Sequence, residues 1–289
     1  MPGTFHPQQT PPKSVTGTFI MPTHTLSQGN TLAYEHIAPS ADGMTFVCFN
    51  ALSGDKGMWT ASIGDAVRKA GHGLLMYNLR GQAGSDYTLA SFDENSIVAD
   101  ARALLQEIKP VRPIHVGLSI GGLFALKAHL AGGTGAAQGI VLINTLRKAG
   151  QRLDWVNDAV TRAAETGGLE LLRDLFSPLL MNEEWQQQNR AGFLKPGPYT
   201  PCKPDDGALL LMKSGSTADW AVPYERVTVP TLVITGLQDR VFYNATDVDE
   251  LAARLPAANR FDMADAGHMV PVERPQALAQ ALLDFADTI

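Results

Sequence analysis

The sequence contains a serine, a histidine and an aspartate that each follow an apolar segment, in a predicted loop or turn. Together these side-chain types can transfer an acyl group. Ser119 lies in Gly-Leu-Ser-Ile-Gly, between a short apolar run and a helix-forming run. A serine hydroxyl is a weak nucleophile until a neighbouring base takes its proton, and that base needs an acid that holds its tautomer. We therefore expect a histidine and a carboxylate close to Ser119 in the folded chain.

His268 is the histidine that fits this requirement among the seven in the sequence. It lies in Ala-Gly-His-Met, on a loop after a predicted strand, and the C-terminal ends of parallel strands are where open α/β sheets place ligands. The other histidines occur near the N-terminus, within strands or helices, or in a helix-to-strand turn. They are interpreted as structural or solvated: His6, His24, His36, His72, His115 and His129.

Asp239 is the candidate acid, because it follows another predicted strand in Thr-Gly-Leu-Gln-Asp. A loop aspartate alone is as easily a turn residue. Two consecutive late strands that each end in a required residue make coincidence a weaker explanation. Asp262 and Asp265 are competitors, but they lie too close to His268 in sequence to reach its ring easily.

The composition narrows the class of protein. Apolar residues make up 45% of the 289 residues and charged residues 18%, which favours a sizeable buried core. The net charge of −6, with no long basic run, argues against nucleic acid or an anionic membrane surface as a partner. Two cysteines, Cys48 and Cys202, do not form a metal or disulfide pattern. The sequence thus predicts a cytoplasmic protein without metal or organic cofactor, as a monomer or homodimer.

The elements that must position these residues follow from the apolar periodicity. Predicted strands are Thr23–Leu26, Thr31–Ile37, Thr45–Phe49, Leu74–Asn78, the run from Ile114, Gly139–Asn144, Thr231–Thr235 and Arg260–Met263. Predicted helices are Met58–Ala70, Glu94–Lys109, the segment after Ser119, Thr246–Leu255 and Pro275–Ala286. Gln28-Gly29-Asn30 is expected to be a hairpin turn. This alternation predicts an α/β fold, a mostly parallel twisted sheet with helices on both faces.

The alternation stops between Leu146 and Trp220, where helical patterns predominate. Helices are predicted at Leu153–Glu165, Leu169–Leu180, Glu183–Ala191 and Ala208–Lys213. The sequence predicts one core domain, residues 1–145 and 221–289 with a loose tail at 1–13, and a helical lid at 146–220 inserted after the sixth strand. Most large apolar side chains of this segment are assigned to its own packing. The candidate pocket residues are Asn50, Trp155, Met181, Trp185, Met212 and Met269.

These motifs resemble the α/β-hydrolase superfamily over nearly the whole chain. Gly-Leu-Ser-Ile-Gly-Gly around Ser119, Gly-x-x-Asp at Asp239, Gly-His at His268 and the order Ser, Asp, His match its pattern. Asn78-Leu-Arg80-Gly-Gln-Ala-Gly-Ser resembles its Asp-x-Arg-Gly-x-Gly-x-Ser loop, with asparagine first. The resemblance implies Ser119 as nucleophile, His268 as general base and then acid, and Asp239 as orienting acid. Arg80 is interpreted as a structural ion-pair partner.

The oxyanion hole implied by the resemblance needs two backbone donors, assigned to Leu52 and Ile120. The family's His-Gly sequence is absent before Leu52, where the chain has Asn50-Ala51. Asn-Ala-Leu-Ser resembles a loop of 3-oxoadipate enol-lactonases, as do Met58-Trp59 and Ile143-Asn-Thr. The expected activity is hydrolysis of an ester or lactone through an acyl-enzyme.

Alternatives on the same fold are C–C bond hydrolysis, cofactor-free perhydrolysis and ligand binding without catalysis. Dehalogenase and epoxide-hydrolase chemistry is disfavoured, since those relatives carry aspartate as nucleophile. Arg147, Lys148 and Arg152 lie where the chain enters the lid, and no basic residue is placed firmly beside Ser119. We therefore expect a small to medium, largely apolar substrate rather than an anionic lactone.

Overall fold

The computed structural model describes residues 23–26, 29–88, 92–145 and 148–289, and its centre is one mixed β-sheet. In the described residues the strands pair in the order β1-β2-β4-β3-β5-β6-β7-β8. The pairs β1–β2 and β2–β4 are antiparallel, and all later pairs are parallel. The strands are β1 (Thr23–Thr25), β2 (Thr31–Ile37), β3 (Thr45–Phe49), β4 (Gly73–Tyr77), β5 (Pro113–Leu118), β6 (Gly139–Ile143), β7 (Thr231–Gly236) and β8 (Ala258–Met263).

Helices cover both faces of the sheet, so its central strands are apolar on both sides. Side chains along β3 alternate between two core clusters: Phe46 and Cys48 belong to one, Val47 and Phe49 to the other. The α-helices are α1 (Gly57–Trp59), α2 (Asp65–Lys69), α3 (Glu94–Ile108), α4 (Ile120–Leu130), α5 (Gln151–Leu180), α6 (Glu183–Asn189), α7 (Gly207–Ser216), α8 (Ala245–Arg254), α9 (Val270–Glu273) and α10 (Pro275–Ala286). The predicted α/β class is confirmed.

The strand order reverses direction beside β3. The chain proceeds from β3 to β4 on one side, and then β5 adds on the other side of β3. Connections after β3 and β5 therefore diverge and leave a crevice beyond their C-terminal ends, which is where ligands bind in sheets of this kind. Asn50 follows β3 and Ser119 follows β5, so the sequence places its candidate residues at this crevice.

The segment between β6 and β7 is helical, and we call its described residues, 148–220, the helical insertion. Its first helix, α5, covers two predicted helices and is kinked between them at Gly167 and Gly168. Gly168 has a φ of 70°, and a Cβ there would lie 2.2 Å from the carbonyl oxygen of Thr200. The kink thus requires glycine, since any other residue would be strained and would collide with the backbone.

The predicted boundaries differ from the observed ones by a few residues at most elements. One difference is larger: the predicted helix Met58–Ala70 contains a π-helical stretch, Thr60–Gly64, between α1 and α2. The predicted tail at 1–13 and residue Gln28 of the predicted turn lie outside the described residues. No helix in the described part of the chain is long and apolar enough to span a membrane.

Candidate functional site

Ser119 lies on a strained turn between β5 and α4. Its φ of 57° and ψ of −127° are unusual for a residue with a side chain, and such strain persists only where the surroundings enforce it. The backbone N–H of Ser119 donates to the carbonyl oxygen of Ile143 at 2.8 Å, and the carbonyl of Ser119 accepts from Gly122 at 3.0 Å. These bonds tie the turn to the end of the adjacent strand β6.

The first turn of α4 lies directly against the end of β3. A Cβ on Gly121 would lie 2.3 Å from the carbonyl oxygen of Phe49 and 2.8 Å from that of Asn50. Glycine is therefore needed for this close approach. The contact brings the loop after β3 beside the free N–H groups at the start of α4, which favour negative charge.

The side chains of Asp239 and His268, which lie on two different loops, are in direct contact. The Asp239 carboxylate oxygen Oδ2 lies 2.6 Å from His268 Nδ1, and both side chains are buried. The other oxygen, Oδ1, accepts from the backbone N–H groups of Val241 and Phe242, each at 2.9 Å. Burial favours a higher pKa for Asp239, but the neighbouring His268 and these backbone donors outweigh burial and hold its pKa below the ordinary value.

The competing aspartates have other partners. Asp262 pairs with Arg260 at 2.7 Å, and Asp265 pairs with Arg274 at 2.8 Å. Among the three candidate acids, Asp239 is thus the one that contacts His268.

Asn144 holds the His268 loop from the side of β6. Its side-chain amide nitrogen donates to the carbonyl oxygens of Gly267 (3.0 Å) and His268 (2.8 Å). Its amide oxygen accepts from the backbone N–H of Gly236 at 2.8 Å. One side chain therefore links the ends of β6 and β7 to the histidine loop.

Glu273 holds the same loop from the opposite direction. Its carboxylate accepts from the backbone N–H groups of Gly267 (2.8 Å), Met269 (2.8 Å) and Asn182 (2.7 Å). Burial raises the pKa of Glu273 above its ordinary value, although the three donors and nearby His268 oppose that shift. Asn182 belongs to the helical insertion, so Glu273 connects the insertion to the His268 loop.

The predicted oxyanion loop is supported by polar side chains beneath it. The Asn50 side-chain amide donates to the Tyr77 carbonyl and to Gln82 Oε1, each at 3.0 Å, and accepts from Trp59 Nε1 at 2.8 Å. Asn50 is fully buried. We expected Asn50 to line the pocket, but its polar atoms bind protein groups and make it the anchor of this loop.

Arg80 is a structural ion-pair partner, as the sequence indicated. Its guanidinium donates to both oxygens of Asp100 on α3, each at 2.7 Å, with both side chains buried. Asn78, where the family pattern has aspartate, accepts from the backbone N–H of Lys56 at 2.7 Å. It also donates to Asp55 Oδ2 at 3.0 Å, which an aspartate could not do.

The remaining pocket candidates separate into buried and exposed residues. Met181 and Met212 are buried, and Met269 adjoins His268. A Cβ on Gly215 would lie 2.6 Å from Leu52 Cδ1, so α7, which carries Met212, covers the predicted oxyanion loop. Trp155 is 79% exposed on α5, because that face of the helix has no covering element. This position does not fit a buried pocket.

Trp185 packs edge-on against Phe193, with ring centroids 5.5 Å apart, in a cleft lined by other residues of the helical insertion.

The side chains that sequence reasoning missed are Asn144, Glu273 and Gln82. Asn144 had a detectable signal, a polar residue directly after a buried strand. Glu273 and Gln82 had none, because neither directly follows a predicted strand. Within the described residues no three histidine, cysteine, aspartate or glutamate side chains converge in a way that could hold a metal ion.

Comparisons with known proteins agree with this architecture. A family model described as alpha/beta hydrolase fold matches residues 45–275. The 3-oxoadipate enol-lactonase 1 of Acinetobacter baylyi is 25% identical over 264 residues, which is 91% of this chain and 95% of the relative.

Two solved structures illustrate the likeness in fold. An esterase from Exiguobacterium antarcticum superposes with a TM-score of 0.76 at 16% identity, over 93% of this chain and 100% of the other. An enol-lactonase from Burkholderia xenovorans superposes with a TM-score of 0.74 at 22% identity, over 92% and 100%. With a family match across most of its length, this chain belongs to the α/β-hydrolase fold family.

Proposed function

We propose that this protein is a serine hydrolase that cleaves a small to medium carboxylic ester or lactone through an acyl-enzyme. The observation that supports this most directly is the buried Asp239–His268 pair, which lies at the same end of the sheet as the strained Ser119 turn. The enol-lactonase and esterase relatives support hydrolysis of an ester bond.

The mechanism assigns one role to each side chain. Asp239 holds the proton of His268 on Nδ1, which leaves Nε2 as the base that takes the Ser119 hydroxyl proton. The Ser119 oxygen adds to the substrate carbonyl, and the backbone N–H groups of Leu52 and Ile120 stabilise the resulting oxyanion. His268 then protonates the leaving alcohol, and water repeats the sequence to release the acid.

A fluorophosphonate probe and a serine variant test this proposal. The probe should label Ser119 stoichiometrically, and Ser119→Ala should lose both labelling and nearly all turnover of p-nitrophenyl esters. Intact turnover in that variant would refute the assignment. Saturable binding of an ester without turnover or labelling by the unaltered protein would instead indicate a non-catalytic ligand-binding role.

The substrate is proposed to be neutral, because the described basic residues where the chain enters the insertion have other partners. Lys148 pairs with Glu250 at 2.5 Å. The Arg152 guanidinium donates to the carbonyl of Val241 at 2.9 Å. Arg147 lies outside the described residues. Arg152 is exposed, and the charge of Lys148 is paired with Glu250, so neither residue supplies a buried cation that could compensate a buried carboxylate.

Profiling two substrate sets tests this preference. We expect higher kcat/KM for short- to medium-chain neutral esters and lactones than for lactones derived from dicarboxylates. A preference for the anionic lactones that is lost in Arg147→Ala or Arg152→Ala would contradict the proposal. A product from C–C cleavage or peracid formation at higher kcat/KM would replace ester hydrolysis by one of those reactions.

A further inference from the structure

Gln82 lies directly beneath the predicted oxyanion loop, and both the oxygen and the nitrogen of its side-chain amide make two hydrogen bonds each. It is buried, and its oxygen Oε1 accepts from the backbone N–H of Leu79 at 2.9 Å and from Asn50 Nδ2 at 3.0 Å. Its nitrogen Nε2 donates to the carbonyl oxygens of Ala51 at 2.8 Å and Leu52 at 3.2 Å.

The orientation of this amide follows from its partners. The two groups that face Oε1 are both donors, and the two that face Nε2 are both acceptors. A flipped amide would set nitrogen against N–H groups and oxygen against carbonyls, leaving four buried contacts unsatisfied. The nitrogen of Gln82 is therefore held on the side of Ala51 and Leu52.

This contact determines the direction of the neighbouring N–H. The carbonyl of Ala51 and the N–H of Leu52 belong to the same peptide group, which is trans like every described peptide bond. In a trans peptide these two groups point in opposite directions. Because Gln82 Nε2 and the backbone N–H of Gly54 both bind the Ala51 carbonyl, the Leu52 N–H points away from Gln82.

The Leu52 N–H is also left available for a ligand. Within the described residues it donates no hydrogen bond to another protein group. The start of α4 contacts the backbone of Phe49 and Asn50, just before this loop, so Ile120 and Leu52 lie at the same crevice. A pre-aligned donor costs no reorganisation when the oxyanion forms.

We propose that Gln82 is a positioning residue: by binding the Ala51 carbonyl it aims the Leu52 N–H at the oxyanion of the substrate. Asn50, which occupies the place of histidine in the family's His-Gly loop, holds Gln82 in turn and is itself held by Trp59. This inference rests on the proposed serine hydrolase function, and it concerns how the loop works without His-Gly.

Gln82→Met and Gln82→Glu both test this, because each removes the amide donor that binds Ala51 and Leu52. Methionine adds no charge. Glutamate keeps both acceptor contacts of Oε1, but it sets an oxygen against the two carbonyls and adds a buried charge. We expect kcat/KM for a neutral ester to fall about tenfold to a hundredfold, mostly in kcat, as expected for a weakened oxyanion donor. Gln138→Glu makes the same chemical change at an exposed residue at the opposite end of the sheet, and should leave kcat/KM unchanged.

Inhibitor binding separates positioning from a merely structural role. A trifluoromethyl ketone accepts the Ser119 oxygen at its carbonyl carbon, the serine proton passes to His268, and the carbonyl electron pair becomes an oxyanion. Its matching secondary alcohol cannot form this adduct. In Gln82→Met, which adds no charge near the oxyanion, the ketone should bind weaker by the factor lost in kcat/KM, with unchanged affinity for the alcohol. Equal weakening of both inhibitors would indicate a structural role and overturn the proposal.

Two further measurements bear on the proposal. A folded Gln82→Met variant with unchanged kcat/KM and ketone affinity overturns it. In the unaltered protein, the ketone adduct should shift the Leu52 amide proton downfield in NMR spectra, and a shift at Ile120 alone overturns it. Retained turnover in Ser119→Ala would refute the serine hydrolase function itself, and is therefore distinguishable from these results.

Discussion

Asp239 binds His268 with one carboxylate oxygen and two backbone N–H groups with the other. This arrangement leaves no freedom in the direction of the carboxylate. An ionised Oδ2 accepts from His268 only when the ring carries its proton on Nδ1, and in the proposed mechanism this leaves Nε2 as the base. The proposed chemistry thus depends on Asp239 Oδ2 as the acceptor of the hydrogen bond from His268 Nδ1.

Asp239→Asn is expected to keep the fold and to lower turnover by about 10⁴. If the asparagine oxygen keeps the N–H groups of Val241 and Phe242, its nitrogen faces His268 Nδ1. The ring must then carry its proton on Nε2, where it cannot accept one from Ser119. Ester turnover at neutral pH and a thermal melt measure both expectations.

Asp262→Asn serves as the matched control, because Asp262 pairs with Arg260 rather than with His268. Its turnover should equal that of the unaltered protein. Turnover of Asp239→Asn within tenfold of this control would contradict the assigned role.

At the scale of elements, the end of α5 is bound to both loops that hold the acid and the base. The carbonyl of Leu179 accepts from the backbone N–H of Arg240 at 2.9 Å, and that of Leu180 accepts from His268 at 2.5 Å. Glu273 adds the bond to Asn182. The helical insertion is therefore part of the structure that positions Asp239 and His268, besides covering Leu52 with α7.

Glu273→Gln should loosen the insertion and the His268 loop together. An amide oxygen can replace only part of the carboxylate, so at least one of the N–H groups of Asn182, Gly267 and Met269 loses its acceptor. We expect a loss of about 1 to 3 kcal/mol in the free energy of unfolding, measured with urea, together with a lower kcat. Hydrogen exchange should become faster at all three N–H groups.

Glu250→Gln is the control, since Glu250 on α8 is exposed and pairs with Lys148 rather than with Asn182, Gly267 or Met269. It should change neither exchange at these N–H groups nor kcat. Faster exchange at Asn182 alone, with the His268 loop unaffected, would show that Glu273 does not connect the two segments.

At the scale of the whole molecule, the sheet buries polar groups that titrate when the protein unfolds. His115 on β5 is fully buried between the carbonyl oxygens of Ala125 (3.3 Å) and Gly135 (2.9 Å). Burial lowers its pKa from 6.5 to about 4. The sequence interpretation of His115 as a structural histidine agrees with this position.

The stability of the protein should therefore fall as the pH decreases from about 6.5 to 4. In that interval the unfolded chain takes up a proton at His115 and the folded chain does not, so the stabilisation is complete above the unfolded pKa and lost below it. The shift in pKa corresponds to about 3 kcal/mol. Urea unfolding at a series of pH values should show a shallower decline in His115→Gln.

A slope in His115→Gln identical to that of the unaltered protein would show that other groups cause the loss of stability.

The local pattern of the sequence was sufficient for the fold class and for the positions of the three candidate catalytic residues along it. Apolar runs such as Thr45–Phe49 and Gly139–Ile143 alternate with helical patterns, which favours a parallel sheet covered on both faces. Glycines at positions 117 and 121 mark a turn that tolerates no Cβ. Strand ends then identify Asp239 and His268, because parallel strands all end at the same edge.

Tertiary structure decided which groups meet. The sequence favoured Asp239 over Asp262 and Asp265, and the packing of the loops after β7 and β8 brings its carboxylate to His268. Asn50 is an anchor rather than a pocket residue, because Tyr77, Gln82 and Trp59 take up its polar atoms. Trp155 is exposed, because its face of the helical insertion is not covered. Asn144, Glu273 and Gln82 each bind backbone groups of a distant segment, at Gly267, Asn182 and Ala51 respectively. The amino-acid type of such a partner does not show that its backbone is bound. The propensity for a helix or a strand depends on neighbouring residues in the sequence, whereas these contacts form only when folding brings distant segments together.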